Sequence, residues 1–127
     1  MMKIHSVLFL LVVLAAVFAN QIIAQETVSR IVEDGGTGEY KAIMISEQSL
    51  PTHTVLRPQD LSTFGKNKLP IIAWGNGACA NSPWEHINFL NEVASYGFLV
   101  IAIGQMPAKG EQGGGRSQSS QLTDAID

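Results

Sequence analysis

Cysteine is almost missing from this chain of 127 residues; Cys79 stands alone. A single thiol cannot staple a domain to itself, so no internal disulfide framework holds the fold. One cysteine and three scattered histidines make no zinc ligand set either. Positive charge is scarce: 8 Lys and Arg stand against 11 Asp and Glu, for a net charge of −3. That balance argues against a nucleic-acid partner, because phosphate recognition needs basic surface. No apolar run reaches the roughly 20 residues of a membrane span.

The longest apolar run, SVLFLLVVLAAVF from Ser6 to Phe18, follows Lys3 and precedes the small residues Ala19 and Ala24. It has the length and flanks of a signal-peptide core. Residues 1–24 therefore read as a secretory leader; Ala19 or Ala24 can precede the cut, with Ala24–Gln25 favoured because the polar segment begins there, an uncleaved anchor is the alternative, and no cysteine stands near the cut to accept a lipid. The expected mature domain is 25–127, secreted or periplasmic and without a stable membrane anchor. Losing the leader removes Lys3 and no acidic residue, so −3 becomes −4. About 100 residues then remain, enough for a small domain but short for a large enzyme.

What is present reads as α/β. Val28–Glu33 suits a short strand, and DGGTGE (Asp34–Glu39) is turn chemistry. Tyr40–Ser46 and Thr52–Leu56 are strand-like and close enough to pair as an antiparallel ribbon, with Pro58 stopping the second. Leu69–Trp74 is a continuous apolar run of the kind buried on both faces of a sheet. Ser82-Pro83-Trp84-Glu85 spells a capping box with proline at the first helical position. Ile87, Leu90, Val93 and Ala94 then make one apolar helix face, Gly97 suits a left-handed C-cap, and Phe98 can close the contact beyond it. Phe98–Ile103 is a second buried strand, which completes a parallel βαβ unit. The loop Lys109–Arg116 is polar and glycine-rich, and Ser117–Asp127 begins a further helix with Leu122, Ala125 and Ile126 at helical spacing. Two parallel strands with one and a half helices cannot cover both sheet faces. The expectation is an incomplete domain, or one that needs a partner.

Two glycines follow the first buried strand, in Gly75-Asn76-Gly77, and three readings stay open for them. Gly75-x-Gly77-x-x-Ala80 fits a relaxed dinucleotide pattern, but the helix starts only at Ser82-Pro83, too late to meet a pyrophosphate. No acidic residue closes the second strand, which runs into Gly104-Gln105. The loop can instead leave the Asn76 N–H free as an oxyanion donor for acyl transfer. Or the glycines merely turn the chain. His53 and His86 read as structural or surface histidines, Glu85 as a cap, Glu92 as a solvated helix residue, and Ser117, Ser119 and Ser120 as residues that cap or decorate the second helix. Trp74 and Trp84 are candidates for core or pocket wall.

The run LPIIAWGNGACANSPWEHINFLNEVASYGFLVIAIG resembles the third strand, first helix and fourth strand of an α/β-hydrolase. It is most similar to the secreted branch that holds cutinase-like polyester hydrolases, platelet-activating-factor acetylhydrolases and dienelactone-hydrolase-like enzymes. Pro70 stands where that branch has a proline before the strand, and Trp74-Gly75 where it has His-Gly or Pro-Gly. ASYGFLV resembles its A-S-H-G-F-x-V run, with Tyr96 at the histidine, and GRSQSSQLTDAI resembles its Arg-Ser approach to the helix before the nucleophile. The resemblance spans roughly 36–127 and implies the N-terminal part of a serine ester hydrolase working through an acyl-enzyme, with no cofactor and a small-molecule or polymeric ester as substrate. It implies Asn76 as the oxyanion N–H, bordered by Gly75 and Gly77. It also implies that serine, acid and histidine lie downstream, since no G-x-S-x-G occurs here. A cysteine near that nucleophile would be the partner of Cys79 in an oxidised, longer enzyme. The alternative is a non-catalytic secreted α/β binding module or remnant.

Overall fold

The computed structural model describes residues 28–108 and 110–127; the leader expected at 1–24 lies outside them. Alternating apolar residues and glycine- or proline-marked turns give five strands in one mixed sheet, in the order β1-β2-β3-β5-β4. The strands are β1 Ser29–Arg30, β2 Ala42–Ile45, β3 His53–Pro58, β4 Ile71–Trp74 and β5 Leu99–Ile103, with helices α1 Ile87–Ser95 and α2 Ser120–Asp124. β1, β2 and β3 form an antiparallel meander, β3 pairs antiparallel with β5, and only β4 and β5 run parallel. The expected ribbon and βαβ unit are both present, and the architecture is α/β-like. No helix among the described residues is long and apolar enough to cross a membrane.

The period of two splits each strand between faces. Ala42, Met44, Leu56, Val100 and Ala102 point to one side and close on Ile87, Leu90 and Ala94 of α1. Val93 packs against the edge of that cluster, so the expected apolar helix face is the one buried. Ile45, Val55, Ile101 and Ile103 are buried on the opposite side. There His53, 2 % exposed, ties the sheet to α2: its Nε2 donates to the Gln121 carbonyl at 2.7 Å. The imidazole is structural, one of the roles expected for it.

Four expectations need correction. Of Val28–Glu33 only Ser29–Arg30 pairs; a 3-10 turn at Glu33–Gly35 ends the run. β3 is His53–Pro58 and not Thr52–Leu56; Pro58 does end it, but as its last residue, paired with Ala42. β4 is not buried on both faces. It is the sheet edge, with Ile71 60 % exposed, because β5 slots between it and β3. The capping box does not close. Ser82 Oγ accepts from the Trp84 N–H at 3.3 Å and donates to the Gln112 carbonyl, a 3-10 turn occupies Trp84–His86, and the α-helix begins at Ile87.

Gly97 does take the C-cap conformation, with φ 92° and its N–H on the Ala94 carbonyl at 3.0 Å. The end of α1 is further closed by the DGGTGE loop. Tyr40 N–H donates to Ser95 O at 2.9 Å, Gly38 N–H to Ser95 Oγ at 2.9 Å, and Thr37 N–H to Glu92 Oε2 at 2.9 Å. The Thr37 hydroxyl adds a bond to Glu92 Oε1, so Glu92 is a docking group and not merely solvated. A Cβ on Gly38 would lie 2.3 Å from the Ser95 carbonyl oxygen, a separation that only glycine allows.

Candidate functional site

The βαβ unit brings the ends of two parallel strands side by side: Trp74 at the end of β4, and Ile103 at the end of β5. Open α/β sheets bind ligands at this carboxyl edge. The loop that leaves β4 there is organised by Asn76. Its Oδ1 accepts from the Trp74 indole Nε1 at 3.1 Å, and its Nδ2 donates to Ala80 O at 3.0 Å and Ile103 O at 2.8 Å. The side chain is fully committed. The main-chain N–H is not: among the described residues it meets no acceptor.

Beyond it the backbone turns left-handed at non-glycine residues, with Ala78 at φ 54° and Cys79 at φ 55°. Each such residue costs roughly 1–2 kcal/mol, and strain of this kind collects at functional turns. Gly75 and Gly77 carry no positive φ. A Cβ on Gly77 would meet nothing within 4 Å, and one on Gly75 would have the Leu122 side chain of α2 as its nearest neighbour, at 3.4 Å.

The loop is held by a segment whose role sequence reasoning missed. Asn81 N–H donates to Gly115 O at 3.1 Å and Ser117 N–H to Cys79 O at 2.8 Å, with Ala80 and Arg116 bridged antiparallel between them. Ser82 adds its bond to the Gln112 carbonyl. Backbone pairing of this sort leaves no periodic trace, so the glycine-rich stretch reads from sequence as a free loop. Ser117 thus stitches the two loops together, and only Ser119 and Ser120 stand at the start of α2.

The two tryptophans part company. Trp74 sits at the loop, its ring 5.5 Å from that of His86 and 5.8 Å from that of Phe89. Trp84 lines two other cavities. One, of 290 Å³, is shared with Arg30, Val32, Met44 and Ile87; the other, of 130 Å³, with Ala80, Asn81 and Gly113. Cys79 is exposed, with a free thiol. Glu85 is exposed and makes no cap bond. No group of three or more His, Cys, Asp or Glu side chains among the described residues is arranged to hold a metal ion.

No family model, curated protein or solved structure matches the chain. The chemistry of the site rests on its geometry. An uncommitted main-chain N–H at the mouth of a parallel strand pair, beside a position where the Cβ space is open, can donate to an incoming oxygen that gathers negative charge.

Proposed function

We propose that this chain is the oxyanion-loop part of a secreted serine ester hydrolase with the α/β-hydrolase architecture. In the complete enzyme a serine attacks the ester carbonyl, the alcohol leaves, and water releases the acid from the acyl-enzyme. Asn76 N–H, flanked by Gly75 and Gly77, donates to the oxygen that becomes an oxyanion. One such donor is worth about 3 kcal/mol of transition-state stabilisation. The observation that carries this reading is the Asn76 N–H without an acceptor among the described residues. The mixed sheet, with its ribbon followed by a parallel βαβ unit, supports it.

Nucleophile, acid and histidine are contributed from outside this sequence, and the chain by itself hydrolyses nothing. The decisive reading is the coding DNA after Asp127: a G-x-S-x-G within a few tens of residues is expected, and an immediate stop codon would sink the proposal. The purified chain should leave p-nitrophenyl acetate intact; phosphonate-sensitive turnover by it alone would overturn the division of labour. A non-catalytic module that binds a partner along the sheet edge is the second reading. The exposure of Ile71 on β4 favours it, and the stop codon would select it.

A further inference from the structure

The parallel ladder between β4 and β5 has a fixed rhythm. Leu99 N–H donates to Pro70 O at 2.9 Å, and Ile71 lies opposite Leu99. In a parallel pair, alternate residues of one strand both accept from and donate to the other. From Pro70 the bonding positions on the β4 side are therefore Ile72, Trp74 and then Asn76, and the acceptor due to the Asn76 N–H is the carbonyl of Ile103. That carbonyl is already engaged, by Asn76 Nδ2 at 2.8 Å. The orientation of the carboxamide is not ambiguous. An indole N–H can only donate, so Oδ1 must face Trp74; both carbonyl partners then require the NH₂.

The geometry points to an exchange within one residue: the Asn76 side chain takes the ladder place of its own main-chain N–H and so keeps that N–H available to an outside acceptor. Asn76 is then a positioning residue as well as the donor, acting through its own peptide group. Asp, which cannot donate, and Ala, which has nothing to offer Ile103, both fail in this role. That the outside acceptor is an ester oxyanion rests on the function proposed above; the exchange itself does not.

The test is solution NMR of the full, isotope-labelled chain, reading scalar couplings across hydrogen bonds to the Ile103 carbonyl carbon. In the wild type that carbon should couple to Asn76 Nδ2 and not to the Asn76 main-chain nitrogen. In Asn76→Ala the coupling should pass to the main-chain nitrogen, and exchange of that amide proton should slow by about tenfold or more. A wild-type coupling to the main-chain nitrogen would overturn the inference, and so would a folded Ala variant whose residue-76 amide stays uncoupled and fast. If the Ala variant does not fold, the wild-type couplings decide alone. Undiminished ester turnover by a complete enzyme carrying Asn76→Ala, with the N–H recaptured, would sink the ester reading and leave the exchange standing.

Discussion

Two of the glycine-bearing loops of this protein use glycine for opposite reasons. In 36–38 the glycines are enforced from outside: a Cβ on Gly36 or Gly38 would fall 2.7 or 2.3 Å from Ser95 atoms at the end of α1. In 75–77 nothing enforces them. Gly77 has neither a positive φ nor a neighbour in the way, while the left-handed turns fall on Ala78 and Cys79 beside it. One loop is a fastener with its space filled, and the other is a rim with its space left open. A glycine whose absent side chain meets no protein atom is the kind to examine for an approaching ligand.

Substitution at Gly38 would break the contrast most forcefully. Gly38→Ala pushes a methyl group into the Ser95 carbonyl and should cost about 3 kcal/mol, seen as a lower urea midpoint; an unchanged midpoint would mean the loop does not dock as described. A milder effect follows acidification. The Thr37 hydroxyl, then the Thr37 N–H, hold the Glu92 carboxyl below its usual pKa, with smaller shares from the Tyr96 hydroxyl and the Lys41 charge. A lowered acid pKa contributes stability that is complete above the unfolded value and is lost as pH falls through the folded one. Protection of the Thr37 and Gly38 amides, taken relative to their intrinsic exchange rates at each pH, should therefore fall in acid well before that of the sheet, and Glu92→Gln should flatten that response. Least of all should happen at Gly77. Gly77→Ala is expected to move stability by no more than about 0.5 kcal/mol; a loss as large as that at Gly38 would erase the distinction between the two loops.

Much of the scaffold was readable in advance because it is local. Leu69–Trp74 and Phe98–Ile103 are short apolar runs joined by one amphipathic helix, and Ile87, Leu90 and Ala94 are buried as their spacing required. Strand order was not readable. Both runs look equally internal, yet β5 became central and β4 the margin, a choice made by pairing with β3 and not by either run's composition. The capping box failed for a related reason: Ser82 had a competing partner, Gln112, 30 residues away along the chain. At the site, the position of Asn76 between glycines could be read from sequence. The use of its carboxamide could not, because that depends on the register of two strands.

The placement of β5 also sets the order in which the sheet can assemble. Ile71–Trp74 leaves the ribosome well before Leu99–Ile103, yet it has no seat of its own, since the margin of β3 is taken by the later strand. The meander can form early from nearby pieces, whereas β4 must wait for a non-local pairing, the slow kind. β5 is the keystone of the sheet, and a lesion there would take from β4 the strand it pairs with, leaving the glycine rim held by its loop partners and side-chain packing alone.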